Sequence, residues 1–228
     1  MRHRRAALAA LFLVAGCAQL LRVEAPLGPP AEFPEGHYQQ ALKEGKPVYQ
    51  VDPAGSLVAI EVRRAGKLAR LGHDHVVASH DLTGYVAPGE GRADLYVVLA
   101  RLAVDEPQLR KEAGFDTEPS DSDIEGTRSN MLVHVLEADK FPFALIAVAG
   151  ADAKQKKTTL AVVITLHGHM GSYRVPAEVE ADEKSIGVSG KLELNQSDFG
   201  ITPYSLLGGA IAVQDAVELR FRIRAKRM

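Results

Sequence analysis

The sequence has no tryptophan and a single cysteine, Cys17, among its 228 residues. One cysteine excludes an intrachain disulfide and a thiolate cluster that could hold a metal ion. The apolar run at the N-terminus, residues 6–14, is too short to span a bilayer, because a transmembrane helix needs about 20 apolar residues. The chain therefore has the composition of a globular protein without disulfides.

A strong excess of positive charge is also missing. The formal net charge is −2. Without residues 1–16, which include Arg2, Arg4 and Arg5, 24 basic residues stand against 29 acidic ones. A weakly acidic body of this kind argues against nucleic acid as a partner, since nucleic-acid-binding domains carry clusters of Lys and Arg.

The first seventeen residues, MRHRRAALAALFLVAGC, have the organisation of a secretion signal. A basic start precedes the apolar run and a group of small residues, which predicts a signal peptide over residues 1–16. The segment Val14-Ala15-Gly16-Cys17 resembles a bacterial lipobox, in which Cys17 becomes the lipid attachment site at the mature N-terminus. Two or three palmitate-type acyl chains give stable anchoring, whereas one chain is marginal. The alternative is an ordinary signal with an incidental cysteine.

The residue after the cysteine bears on localisation. An aspartate there would suggest retention at the inner membrane, but this chain has Ala18. We therefore expect a lipid-anchored protein of the bacterial envelope, at the outer membrane and facing the periplasm. Residues 17–46, rich in proline, glycine and charge, predict a lipidated N-terminus with a flexible tether, and residues 47–228 the folded domain.

Beyond residue 47 the apolar residues recur with a period of two. In AVELRFRIRAK, Val217, Leu219, Phe221 and Ile223 alternate with charged residues, and SLVAIEVRR and SIGVSGKLELN show the same scheme. This pattern is typical of strands with one buried face and one solvated face. Turn signals such as Pro53-Ala54-Gly55 separate the strands.

One segment departs from the strand pattern. Residues 121–136, within SDSDIEGTRSNMLVHVLEADKFP, place Ile124, Met131, Val135 and Leu136 on one helical face, with Gly126 as the weak point. A shorter helical turn is expected in DEPQLRKEAG. Many antiparallel strands with one main helix and no alternation of strands and helices favour an all-β fold, a closed or nearly closed antiparallel barrel.

The order of several short segments resembles the YceI-like family. These segments are YQVDPAGSLVAIEVRRAG, DLTGYV, RSNMLVHVLEADKFP, ITLHGHMG and LNQSDFGITP, and together they extend over nearly all of residues 48–226. The resemblance implies a lipocalin-like barrel of about eight strands with an elongated apolar cavity. It also implies binding of polyisoprenoids, quinones or fatty-acid derivatives, and it brings no catalytic chemistry.

Ligand contacts would come from apolar side chains that face the inside of such a barrel. The clearest inward faces of two strands supply six candidates, for each of which a purely structural place in the core is an equal alternative: Val58, Ile60, Val62, Val217, Leu219 and Phe221. Arg128, on the predicted helix, could meet an acidic head group or pair locally.

Three histidines, His73, His75 and His169, depart from the family pattern, whereas His167 matches a position commonly occupied in the family, where a structural hydrogen bond is the alternative role. The four form two His-x-His pairs, His73 with His75 and His167 with His169. On a strand, residues i and i+2 face the same side, so each pair could bind one ion. Converging pairs would suit zinc, copper, nickel or iron, and an open position could activate water for hydrolysis. The alternative is a set of exposed or backbone-bonded histidines.

The sequence is therefore compatible with three alternative functions. The favoured one is a carrier or sensor that binds an elongated apolar small molecule or lipid. The second is a histidine-rich metalloprotein, with metal-dependent hydrolysis as its chemistry. The third is a structural module of the envelope. Whether the protein is an enzyme is left open, with a non-enzymatic role favoured, and the oligomeric state is not indicated.

Overall fold

The computed structural model describes residues 23–150 and 155–228. The predicted signal peptide and Cys17 lie outside the described residues. Within the described ranges, no helix is both long enough and apolar enough to cross a bilayer.

The described residues form fourteen strands and three α-helices. The helices are α1 (Glu35–Lys43), α2 (Pro107–Glu112) and α3 (Asp121–Asn130). The strands are β1 (Tyr49–Val51), β2 (Leu57–Val62), β3 (Arg64–Ala65), β4 (His75–Ser79), β5 (Thr83–Ala87), β6 (Arg92–Val98), β7 (Ala103–Val104), β8 (Phe143–Ala149), β9 (Lys157–Leu166), β10 (His169–Ala181), β11 (Ser185–Asn195), β12 (Ser205–Leu206), β13 (Ile211–Val213) and β14 (Ala216–Arg227).

Eight of the described strands close into an antiparallel barrel. The order around the ring is β1-β5-β6-β8-β9-β10-β11-β14, and β14 pairs back onto β1 through Tyr49 opposite Arg227 and Val51 opposite Ala225. Successive residues of a strand point to opposite faces, so closure separates an inner set of side chains from an outer one. The prediction of a lipocalin-like barrel of about eight strands is confirmed.

The last strand, β14, pairs with two different strands along one edge. Residues 225–227 of β14 pair with β1, and residues 218–222 pair with β2. A short turn, Pro53–Gly55, separates β1 from β2, and β4 and β7 extend the sheet beyond β2. A small sheet of β12, β13 and β3 lies beside the end of β2.

Helix α3 covers one end of the barrel, which we call the capped end. It begins at a capping box in which the Ser120 hydroxyl accepts from the Asp123 amide and the Asp123 carboxylate accepts from the Ser120 amide. After Asn130 the chain widens into a π turn, Met131–Val135, with a hydrogen bond from the Leu136 amide to the Met131 carbonyl. The predicted helix over residues 121–136 is therefore present, but its last part is a π turn.

The π turn and the residue after it fill the capped end. Leu132 is almost completely buried, and Val135 and Leu136 pack against the apolar clusters inside the barrel. Arg128 donates to the carbonyls of Ala100 and Leu102, at 2.6 and 3.3 Å, which fixes the helix to the chain after β6. Arg128 thus pairs locally, the second of the two roles considered for it.

The segment expected to be a flexible tether is largely part of the folded unit. Val23 is buried in the main apolar cluster, and α1 packs on the outer face of β5 and β6. The Tyr38 ring is fully buried and stacks on Tyr85, and its hydroxyl donates to Asp94 at 2.6 Å. The prediction failed because the apolar residues of this segment are spaced too widely to show a period.

Substitution of Tyr38 tests whether α1 belongs to the folded unit. Tyr38→Ala should lower the free energy of unfolding by about 3–5 kcal/mol, because it empties a buried aromatic site. His37→Ala, on the exposed side of the same helix, removes a surface pair with Glu90 and an edge contact with the Tyr38 ring but leaves the buried tyrosine in place, and it serves as the control. Urea unfolding measures both, and equal small losses would mean that α1 does not support the barrel.

Candidate functional site

An apolar cavity occupies the barrel in the half away from the capped end. Its volume is about 140 Å³, and all of its nineteen lining residues are apolar. Sixteen of them are Val, Leu or Ile, and the others are Ala93, Pro88 and Phe221. The lining offers no side-chain hydrogen-bond donor or acceptor, so the cavity suits a hydrocarbon group rather than a polar ligand or water.

The cavity follows directly from strand register. Neighbouring strands place their inward residues opposite each other, as in Val148 opposite Val162 and Leu160 opposite Val175. Gly190, opposite Phe221, interrupts the row of large inward residues on β11. A Cβ atom at Gly190 would lie 2.7 Å from the Phe221 ring, so this glycine makes room for the phenyl group.

The cavity runs toward the end of the barrel opposite α3. Pro88, in the turn between β5 and β6, lies at that end, together with Val179 and Ile186 near the turn between β10 and β11. We call this the turn end. The cavity is similar in size to an engineered apolar cavity of about 150 Å³ that binds benzene. As it stands it accommodates a segment of a hydrocarbon chain, and a longer chain requires lining side chains to move.

The six predicted ligand-contact residues all lie on inward faces, but they divide into two groups. Val58, Leu219 and Phe221 line the cavity. The other three, which lie nearer the capped end and pack in the apolar clusters there, are Ile60, Val62 and Val217. The alternating pattern identified the inward faces correctly, but it does not contain the position of the helix that fills one end.

A polar atom without a partner is buried inside the barrel on Tyr173, a residue that does not itself line the cavity. Tyr173 precedes the cavity residue Val175 by two positions on the inward face of β10, toward the capped end. Its hydroxyl is buried without a hydrogen-bond partner and lies over Gly171, where a Cβ atom would be 2.7 Å from it. Burial, followed by the negative charge of Asp198, raises the pKa of Tyr173. The sequence pattern does not single out this residue.

One member of the first histidine pair, His75, belongs to a buried charge network. His75 begins β4, and its Nδ1 lies 2.6 Å from Asp105 Oδ2. The Asp105 side chain is fully buried and also accepts from the Val76 amide and from Arg110. His73 precedes the strand, and its Nδ1 is buried without a hydrogen-bond partner. The His75 partner Asp105 is thirty positions away, which is why sequence reasoning missed it.

The second histidine pair lies at a hairpin turn. His167 and Gly168, with φ of 52° and 76°, form the two-residue turn between β9 and β10. The His167 ring contacts Phe141, and its Nε2 lies 2.9 Å from Glu137. The premise that both histidines share one strand face was wrong, because the chain reverses at His167.

The ring centroids lie 6.2 Å apart in the first pair, His73 and His75, and 6.4 Å apart in the second, His167 and His169, but the two pairs do not join into one group of ligands among the described residues. Across residues 23–150 and 155–228, no group of three or more His, Cys, Asp or Glu side chains has a geometry that could hold a metal ion. The interactions described above engage His75 and His167 with carboxylates instead. The geometry gives no support to a metal centre built on the two pairs.

The carboxylate of Asp105 should make stability fall in acid. Burial alone would raise the pKa of Asp105, but the hydrogen bond and charge of His75, with the Val76 amide and Arg110, hold it below its usual value. A lowered pKa contributes stability above the unfolded value, and this is lost as pH falls through the folded value. The loss is therefore expected below about pH 4.

Asp105→Asn tests this network. Removing the charge leaves Arg110 buried without its partner, so the free energy of unfolding near neutral pH should fall by about 3–5 kcal/mol. The remaining dependence on acid should also become shallower. Asp116→Asn, which changes an exposed partner of Arg64, is the control. A variant as stable as the control would show that the Asp105 charge does not hold this part of the fold.

Known proteins resemble this chain in sequence pattern and in fold. The YceI-like domain family model matches residues 49–225. Among curated proteins none matches the chain. A polyisoprenoid-binding domain from Saccharophagus degradans, implicated in plant cell wall breakdown, superposes with a TM-score of 0.57 at 15% identity. That match covers 78% of this chain and 97% of the other.

Two further solved structures superpose with lower TM-scores. BcnA from Burkholderia cenocepacia has a TM-score of 0.49 and 17% identity, with 76% of this chain and 98% of that one covered. A YceI protein from Campylobacter jejuni has a TM-score of 0.41 and 18% identity, with 64% and 81% covered. The closed barrel of eight antiparallel strands and the family match over most of the chain lead to one conclusion: this protein belongs to the YceI-like family.

Proposed function

We propose that this protein is a lipid-anchored carrier or sensor of the bacterial envelope that binds an elongated apolar molecule in its barrel. The observation that carries the proposal is the cavity, whose lining residues are all apolar. A fold of the same kind in the Saccharophagus degradans domain, which is described as polyisoprenoid-binding, supports an isoprenoid as the ligand class.

The physical advantage lies in removing hydrocarbon from water. Each methylene group transferred into an apolar site gains about 0.8 kcal/mol, so a segment of several carbons gives useful affinity without any polar contact. Branched isoprenoid units fit a surface made of Val, Leu and Ile side chains. The same lining gives little discrimination among hydrocarbons of similar width, since it makes no directional contacts.

The size of the cavity bears on the shape of the ligand. A volume of about 140 Å³ takes a chain segment, so a longer ligand must either extend past Pro88 at the turn end or displace lining side chains. The partly exposed residues Val58, Leu219 and Phe221 are placed for such adjustment, whereas Val175 is almost fully buried. We expect a ligand that is thin, flexible and apolar over most of its length.

The Tyr173 hydroxyl supplies a preference for one polar end group. A buried donor without a partner is unfavourable, and a hydroxyl, carbonyl or carboxyl oxygen at the end of a ligand would satisfy it. A quinone, a prenol or a fatty acid has such an oxygen at the end of a long apolar chain. The ligand would then lie with its polar end toward Tyr173 and its chain toward the turn end.

Membrane attachment through Cys17 is the second part of the proposal. Acyl chains on Cys17 would hold the barrel at the outer membrane, on its periplasmic side. Replacement of Cys17 by Ser should move the protein from the membrane fraction to the soluble periplasmic fraction. Mass spectrometry of the mature N-terminus measures the acylation directly, and an unmodified Cys17 would contradict this part.

Filling the cavity should block binding. Purified protein should release lipid into organic solvent, and Val148→Phe, which places a phenyl group inside the cavity, should release much less. Ala149→Phe, on the exposed outer face of the same strand, is the matched control and should retain the lipid. Mass spectrometry of the extracts measures both. Equal lipid content in the two variants would show that the ligand does not occupy the barrel.

Tyr173→Phe separates the polar contact from the apolar one. Without ligand the variant should be more stable by about 1–3 kcal/mol, because a buried hydroxyl without a partner is removed. Affinity for a long-chain alcohol or acid should fall, while affinity for the matching hydrocarbon should not. Competition with a bound fluorescent lipid measures these affinities. A parallel loss for both ligands would mean that the hydroxyl has only a structural role.

A further inference from the structure

Exposed apolar side chains are concentrated at the capped end of the barrel. Among the described residues, six large apolar side chains are exposed, and four of them lie there. These four form what we call the apolar rim, with exposed fractions of 62%, 75%, 48% and 75%: Leu71, Met170, Leu206 and Leu207. Leucine and methionine side chains with such large exposed fractions do not contribute to the core. A cluster of exposed apolar side chains marks an interaction surface.

The loops that carry the rim support each other. The Leu68 amide donates to the Ala210 carbonyl at 2.8 Å, and Leu206 is paired with Ile211 across the β12–β13 hairpin. Gly66 lies so close to the Gly209 and Ala210 carbonyls that a Cβ atom there would be within 2.6 Å of both. Two neighbouring loops, joined by these contacts, therefore carry three of the rim residues: Leu71, Leu206 and Leu207.

Met170 completes the rim from a third loop. It follows His169 at the start of β10, and the His169 ring lies against Gly200, the residue from which the chain leads to β12. Exposed cations, Lys67 and Arg70, lie beside Leu71. Apolar tips with adjacent positive charges are suited to the boundary of a bilayer, where acyl chains and anionic head groups meet.

The connection between the lipid attachment site and the first described residue is short. Cys17 is six residues before Val23, so an acylated Cys17 can be at most about 20 Å from Val23. Val23 is only 8% exposed and belongs to the large apolar cluster, which contains Leu102 and Leu132 of the capped end as well as the cavity residues Leu82 and Leu95. A barrel held on so short a connection must rest on or near the membrane.

The course of the N-terminal segment indicates which end faces the bilayer. Both Tyr38 and Phe33 contact Tyr85, but Tyr38 also bonds Asp94, whereas Phe33, earlier in the chain, contacts Tyr96, two residues nearer the capped end along β6. Followed backward, the segment therefore runs toward the capped end and reaches the buried Val23. The N-terminal segment that leads to the acylated Cys17 and the apolar rim therefore lie toward the same end of the barrel.

We propose that the apolar rim at the capped end inserts into the surface of the bilayer that holds the acyl chains of Cys17. This inference rests on the acylation of Cys17 in the proposed function. The turn end, and with it the cavity near Pro88, then points away from the membrane toward the periplasm. Ligand exchange at the turn end would thus be with periplasmic partners.

Single thiols at the two ends test the orientation. Because Cys17 is the sole cysteine and is blocked by acylation, Leu71→Cys, Met170→Cys and Leu207→Cys each give one reactive thiol in the full-length lipoprotein. Glu183→Cys, in the exposed turn between β10 and β11, is the control at the opposite end. Each variant is labelled with an environment-sensitive fluorophore and placed in phosphatidylethanolamine–phosphatidylglycerol vesicles that contain nitroxide-labelled lipid.

The labels at the apolar rim should lose most of their fluorescence to the nitroxide lipid, and the label at residue 183 should lose none. Absence of quenching at the rim, or equal quenching at residue 183, overturns the docked orientation. The mass of the N-terminus is measured on the same samples, and an N-terminus without acyl chains overturns both the anchoring and the docking. Lipid extracted from the same samples reports on ligand binding separately, so failure of docking and failure of the carrier function are distinguishable.

Discussion

Closure of the sheet through β14 determines the rest of this structure. Its twelve residues pair with β11 along one edge and with both β1 and β2 along the other. Without the pairing of β14 with β1, the ring would be an open sheet, and its inward side chains would face water. With it, residues two apart along each strand face a common interior. An enclosed apolar volume is a consequence of that geometry, and helix α3 decides how much of it is filled.

The filled half and the empty half of the barrel have different roles. At the capped end the π turn and Leu136 pack against Leu166 and the inward residues of β2, which gives the fold its largest apolar cluster. At the turn end the inward residues have no helix to meet, so the cavity persists. An unfilled cavity lowers stability by an amount that rises with its volume, and the apolar packing at the capped end offsets that cost.

Much of this architecture could be predicted from the sequence. Alternation in residues 216–226 identified a strand and its inward face, and the cap-forming residues before Ile124 identified the helix, since both signals are local. The family resemblance, on segments such as LNQSDFGITP, supplied the barrel. The predictions that were wrong concern residues whose partners are distant in the sequence. Tyr38 joins the fold only through Tyr85 and Asp94, and the histidine at position 75 meets an aspartate from another strand.

The two histidine pairs show why spacing alone is weak support for a metal site. Convergence of each pair on one ion requires a continuous strand, but His167 occupies a turn position with positive φ and His73 precedes its strand. Each pair is therefore divided between a turn or loop and a strand. The position of the cavity was equally hidden, because Ile60 and Leu219 have the same pattern in the sequence although only Leu219 lines it.

The central claim is that the barrel holds a long apolar molecule in the space between Val175 and Pro88. A crystal structure of the lipoprotein purified from its own membranes tests this directly. The account predicts continuous, unbranched or regularly branched electron density in contact with Leu219 and Phe221. Density for ordered water at that place, or side chains collapsed into the space with no density left over, would contradict it.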